Sequence, residues 1–140
     1  MKNRVLAMSD IHGCLDELKE MLNLIKYDSK NDLLILLGDY VDRGPKSIET
    51  LFFIGELIDN GAIVIMGNHD QCFYEMIKLY ELGKNTYYYD LGDGKTLNQY
   101  RKLSNNNKNK VKSIIRKMLP YYEVGKYIFV HGGVVADVSV

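Results

Sequence analysis

The sequence predicts an α/β domain built on a mainly parallel sheet, and three observations carry that prediction. Leu33 to Leu37 is an apolar run of five residues ending at Gly38, too short for a buried helix and suited to a strand buried on both faces. Short apolar runs alternate with segments of helical periodicity in a βαβαβα rhythm, which calls for parallel strands joined by right-handed crossovers. Charged residues collect directly after the runs, at the carboxyl ends of the expected strands, where open α/β sheets place their ligand sites.

In chain order, Arg4 to Met8 is the first expected strand, ending in the polar turn Ser9-Asp10-Ile11-His12-Gly13. A helix then begins near Cys14, with Leu15, Leu18, Met21, Leu22 and Ile25 on one face, and closes at Tyr27-Asp28-Ser29. After the central strand, Gly44-Pro45 makes a turn and a helical pattern resumes at Ser47, burying Ile48, Leu51, Phe52, Gly55 and Ile58 and stopping at Asn60-Gly61. Ala62 to Met66 is a third strand, followed by Gly67-Asn68-His69-Asp70 and a helix with Phe73, Met76, Ile77 and Tyr80 inward.

From Gly83 to Met118 the periodicity weakens. Two helices are expected there, one after Lys95 and one over Asn109 to Met118, joined by the solvated Asn/Lys-rich stretch Asn105 to Lys110 and stopped by Pro120. Tyr87-Tyr88-Tyr89 is expected to pack, as aromatic clusters commonly do. Tyr121 to Val124 and Tyr127 to Val130 form a hairpin across Gly125-Lys126, and the second strand runs into His131-Gly132-Gly133.

Composition narrows the function classes. The chain of 140 residues has 18 Lys plus Arg and 18 Asp plus Glu, so the charge balance gives no footing for electrostatic capture of nucleic acid or an anionic membrane. Cys14 and Cys72 form no C-x-x-C pair, which fits a reducing compartment. The apolar run Val5 to Met8 is cut off by Asp10, short of a signal peptide or a membrane span. A cytoplasmic protein of one domain, 1–140, is expected.

All three histidines, His12, His69 and His131, follow expected strands, and each lies within two residues of a glycine. Each has an ordinary alternative: Asp10 or Asn68 could cap the following helix, and a lone histidine is commonly a core or surface residue. Taken together, Asp10, His12, Asp39, Asn68 and His131 put oxygen and imidazole donors at the ends of four strands, a mixture suited to divalent transition metals. Asp42 and Arg43 also stand in the central turn, where a turn-stabilising ion pair is the plain reading.

Asp10-Ile11-His12-Gly13, Gly38-Asp39-Tyr40-Val41-Asp42-Arg43-Gly44, Gly67-Asn68-His69-Asp70 and His131-Gly132-Gly133 resemble, in order, the motifs of the phosphoprotein phosphatase family. These are the calcineurin-like, binuclear metallophosphatases, and the likeness is strongest to their bacterial serine/threonine phosphatase branch. Gly92-Asp93-Gly94-Lys95-Thr96-Leu97 is similar to a further segment of the bacterial members. The resemblance implies the αββα sandwich of that family, here as its N-terminal portion with a helical insert. It implies two divalent ions, manganese foremost with iron or zinc as alternatives. Asp10 and His12 would bind the first ion, Asp39 would bridge both with its two oxygens, and Asn68 and His131 would bind the second. His69 would be the general acid, oriented by Asp42; Arg43 would clamp the phosphate, with Asn68 also against the substrate. Such a pair of ions, about 3.5–4 Å apart, activates a shared water and neutralises phosphate oxygens.

The chain departs from that pattern in places. Ser9 stands for a usual glycine and Asp70 for a usual glutamate, both expected to be mild. Met66 stands where many protein phosphatases carry a second arginine. Diadenosine tetraphosphate hydrolases, a related branch, also lack that arginine, but they usually lack the acid matching Asp42. The family continues beyond His131-Gly132-Gly133 with another histidine ligand and another arginine, so the C-terminal part of the domain is expected to be missing here, leaving a weaker second metal and an unfinished sheet able to pair with a second copy. The expected function is a metal-dependent phosphomonoesterase acting on phosphoserine or phosphothreonine in proteins. A dinucleoside polyphosphate hydrolase is the alternative, and a truncated, non-catalytic metal-binding module is the third reading.

Overall fold

Three of the apolar runs form one parallel sheet: β1 (Arg4–Met8), β2 (Asp32–Leu36) and β3 (Ile63–Val64), in the spatial order β1-β2-β3. The computed structural model describes residues 4–135, so the ends of the expected domain, Lys2 and Val140 among them, lie outside the described residues. Met8 stands opposite Leu36, and Leu36 opposite Val64. The carboxyl ends of all three strands are therefore level, and the loops that follow them open on one edge. In central β2, Leu34, Ile35 and Leu36 are 0% exposed, and burial of each such side chain is worth about 1.5–3 kcal/mol.

Five helices share the core with this sheet: α1 (Leu15–Leu24), α2 (Ser47–Asp59), α3 (Asn68–Glu81), α4 (Lys95–Arg101) and α5 (Asn105–Arg116). Their inward faces follow the expected periodicity with exceptions. Met21 on α1 is 47% exposed. On α2 the buried face turns toward Ile54 and Leu57, leaving Phe52 and Ile58 half-buried. Gly55 lets α2 and α5 approach closely, since a Cβ there would come within 2.8 Å of Ile114 Cδ1 and require that side chain to shift.

Two expected boundaries and one packing expectation are corrected. The third strand spans two residues rather than five, because beyond Ile65 it meets only Leu119, and Pro120, with no N–H, cannot continue a ladder. Helix α5 begins at Asn105, not Asn109, because Ser104 caps it by accepting a hydrogen bond from the Asn107 N–H; the Asn/Lys stretch is helix. Tyr87 and Tyr88 do not pack: they are 84% and 86% exposed on a short 3₁₀ turn, and Tyr89 alone of the three lies against the core.

The hairpin forms as expected, with β4 (Tyr121–Val124) antiparallel to β5 (Tyr127–Val130). An apolar concavity of about 680 Å³ lies between β1 and this hairpin, lined by Val5, Ala7, Val124, Tyr127 and Phe129. The outer edge of β1 has no strand partner among the described residues. No helix among the described residues is long and apolar enough to cross a membrane.

Candidate functional site

The loop after β2 is held from beneath by two side chains to which the sequence reading gave no role there. Asp70, fully buried near the start of α3, accepts hydrogen bonds from the backbone N–H groups of Asp39 (2.7 Å), Tyr40 (2.9 Å) and Gly67 (2.9 Å). Burial pushes its carboxyl up to about 7, against the downward pull of those three donors. Tyr40, 0% exposed, donates its hydroxyl to Ile65 O and accepts from the Gly38 N–H, tying the end of β2 to the end of β3. Asp70 sits at the third position of α3, so the signal that could have found it is the acidic residue of a capping box.

The backbone at this edge is strained. Seven non-glycine residues among those described have positive φ, and five of them are Asp10, His12, Asp39, Asp42 and Arg43, at 57°, 46°, 61°, 68° and 64°. Such conformations cost about 1–3 kcal/mol each and persist only where surrounding contacts impose them, commonly at functional sites. Close approach adds to the constraint: a Cβ on Gly67 would lie 2.1 Å from Asp39 Oδ1.

Each histidine has one ring nitrogen committed. His12 Nδ1 lies 2.8 Å from Val41 O and His131 Nδ1 lies 2.7 Å from Leu37 O. A carbonyl can only accept, so both rings carry their proton on Nδ1 and turn the Nε2 lone pair outward. His12 Nε2 is buried without a hydrogen-bond partner, 3.7 Å from Asp10 Oδ1 and 3.7 Å from Asp39 Oδ2. His131 Nε2 lies 3.0 Å from Asn68 Oδ1 and 3.4 Å from the same Asp39 Oδ2. On both sides of one carboxylate oxygen, three lone pairs converge with no donor among them. Ligands of one ion, at bonds of about 2.1 Å, stand about 3.0–3.4 Å apart. The donor set fits two cations sharing Asp39: the His131 group already stands at that spacing, and the His12 group, at 3.7 Å, stands a few tenths of an ångström wider.

Asp39 Oδ1 accepts the His69 backbone N–H at 3.0 Å, and Oδ2 is the oxygen that faces both groups. Neither Asp10 nor Asn68 caps a helix: α1 starts after Cys14 without a side-chain cap, and Asn68 is itself the first residue of α3. Ser9 is more than a mild replacement, since its hydroxyl donates to Asp10 Oδ2. That bond chiefly, with the Arg43 charge adding to it, lowers the Asp10 carboxyl below its usual range.

His69 differs from the other two histidines in its partner. Its Nδ1 lies 2.8 Å from Asp42 Oδ2, both side chains being buried, and its ring stands edge-on to His12 with centroids 4.8 Å apart. Asp42 is clamped in turn. Thr96 donates its hydroxyl to Asp42 Oδ1 at 2.6 Å, the Asp42 N–H reaches Ser47 Oγ at 3.0 Å, and Gly92 leaves no room for a Cβ, which would lie 2.1 Å from Asp42 Oδ1. Asp42 pairs with His69 and not with Arg43, which is exposed at the rim. The Gly92 to Leu97 segment thus acts as a buttress of the dyad. Thr96→Val, which keeps the shape and strips the hydroxyl, is expected to leave a buried carboxylate oxygen without its donor and to lower stability by about 1–3 kcal/mol, with Thr96→Ser close to wild type. Equal melting of the valine and wild-type proteins would refute the clamp.

A family profile described as calcineurin-like phosphoesterase matches residues 3–139. Among curated proteins, the chain is 44% identical over 79 residues to the symmetrical bis(5'-nucleosyl)-tetraphosphatase of Buchnera aphidicola subsp. Baizongia pistaciae, covering 56% of this chain and 27% of that one. It is 52% identical over 63 residues to the protein of the same name from Aliivibrio salmonicida (strain LFI1238), covering 45% of this chain and 23% of that one. The chain thus spans about a quarter of the length of these relatives. A crystal structure provisionally named a diadenosine tetraphosphatase superposes with a TM-score of 0.70 at 20% identity, over 97% of this chain and 53% of that one, which bears on the fold alone. The profile covers nearly the whole chain: the chain belongs to the calcineurin-like phosphoesterase family, whose members are metallophosphoesterases with a binuclear divalent metal centre.

Proposed function

We propose that this site hydrolyses a phosphoanhydride bond of a dinucleoside polyphosphate. Asp10, His12 and Asp39 surround a first cation; Asp39, Asn68 and His131 surround a second. The observation that carries the metal assignment is the convergence of lone pairs on both sides of Asp39 Oδ2. When bound, the cations supply a nucleophilic water and neutralise charge on the phosphate, with manganese the favoured activator. Arg43 offers its planar fork of donors to the phosphate oxygens, and Asn68 lies within reach of the same group. His69 gives a proton from Nε2 to the leaving oxygen while Asp42 holds its Nδ1–H.

The substrate class is supported by the names of the curated relatives. A second reading, hydrolysis of phosphoserine or phosphothreonine, is favoured by the His69–Asp42 pair itself. An alkoxide leaving group needs a proton from an acid, whereas a nucleotide phosphate leaves readily without one. Manganese-loaded protein should release ADP from diadenosine tetraphosphate with a higher kcat/KM than it releases phosphate from a phosphoserine peptide. The reverse order selects the second reading, and no turnover of either rejects both.

A further inference from the structure

Beside the site, the loop after β2 and helix α4 enclose a concavity of about 490 Å³ whose lining includes Arg43, Lys95, Asn98, Gln99 and Lys102 and no acid. Gln99 fixes its shape, donating from Nε2 to Pro45 O at 3.0 Å and accepting the Ile48 N–H at 3.2 Å, so α4 is pinned to the loop that carries Arg43. Lys95, Asn98, Gln99 and Lys102 recur at three, four and seven residues and share one stripe of the helix. The two lysines are thus about 10 Å apart along its axis at a rise of about 1.5 Å per residue.

The cations here differ from the chain's paired lysines in being gathered, unpaired, around one concavity. Lys46, Lys78, Lys112 and Lys117 each pair with a carboxylate. Arg43, Lys95 and Lys102 make no side-chain hydrogen bond or ion pair among the described residues, and all three are exposed. Three uncompensated positive charges gathered around one concavity favour an anion there. A single phosphate on Arg43 would leave the two lysines unused, whereas a run of phosphates extends along the stripe. Arg43 joins this wall to the catalytic edge, since its charge is felt by Asp10.

We propose that this concavity is a second anion subsite, in which Lys95 and Lys102 hold the phosphates of a polyphosphate chain beyond the scissile one. The inference rests on the phosphohydrolase reading above and specifies how its substrate is measured. Electrostatics sets the preference: each added phosphate brings a charge that the lysines can meet with a charge-assisted hydrogen bond, which a monoester cannot supply.

The test uses the full chain, free of metal so that the probe is not chelated, with inorganic tripolyphosphate and orthophosphate titrated by calorimetry. Tripolyphosphate should bind at least about tenfold tighter than orthophosphate, a gap of about 1.4 kcal/mol. The double variant Lys95→Gln/Lys102→Gln should lose that preference and keep its orthophosphate affinity. A control variant at two exposed lysines elsewhere, Lys26→Gln/Lys84→Gln, should behave as wild type. With manganese restored, the subsite variant should show a KM for diadenosine tetraphosphate raised about tenfold at similar kcat, and unchanged kinetics on p-nitrophenyl phosphate. Absence of a tripolyphosphate preference in wild type, its survival in the subsite variant, or an equal loss in the control would overturn the subsite. If the calorimetric difference appears and diadenosine tetraphosphate is not turned over, the subsite stands and the assigned reaction falls.

Discussion

Asp39→Asn is expected to abolish binding of both cations at once. Oδ1 is committed to the His69 backbone N–H, so an asparagine keeps its oxygen there and turns its NH₂ toward the point where Oδ2 faced His12 and His131. A donor then stands where two ions need an acceptor. The fold should survive, because asparagine tolerates the positive φ of 61° at this position. Affinity should drop by more than about 100-fold, beyond the 10–100-fold that losing a ligand's supporting partner costs. Manganese titration of chelator-stripped protein should give two steps in wild type, with the tighter step at the group holding two carboxylates, Asp10 and Asp39. Asp10→Asn should weaken that step alone. If Asp39→Asn retains either step at its wild-type affinity, the shared-oxygen arrangement is wrong.

The second large effect concerns proton transfer. His69→Asn should cut turnover of an alkyl phosphate by about 10²–10⁴-fold with metal content unchanged, since the ring contributes to neither lone-pair group around Asp39. An activated aryl phosphate, whose leaving group barely needs a proton, should lose far less. Equal losses on both substrates would remove His69 from the role of acid and make it one more metal ligand, a placement its closeness to His12 and Asp39 also permits.

Much of this edge could be read from the sequence because the chemistry lies directly after the strands. An apolar run ends, and the next few residues have nowhere to go but the carboxyl end of the strand; Asp10, His12 and Asp39 were legible for that reason on the parallel sheet, and His131 after the hairpin strand β5. Residues acting through the fold were not. The roles of Asp70 and Thr96 depend on bonds to residues 31 and 54 positions away, and no local pattern announces a bond of that span. The start of α5 was hidden because asparagine and lysine carry no apolar period, and the helix there hangs on one serine cap. Tyr87 and Tyr88 mislead in the opposite direction, since hydrophobic residue type says nothing about whether a partner is within reach. The positive φ values at five site residues are likewise invisible in composition, aspartate and histidine being common in every kind of turn.

The carbonyls that hold His12 and His131 have a consequence for ion traffic. Leu37 O and Val41 O belong to the loop of the central strand, so the imidazoles are aimed before any ion arrives, and capture needs no folding step. Loading is then a matter of exchange with the surrounding solution, and by the ordinary order of stabilities copper and zinc outcompete manganese whenever they are free. The ion carried by purified protein will therefore record the medium in which the cells were grown, and catalytic preference has to be read from metal-stripped protein reloaded one ion at a time.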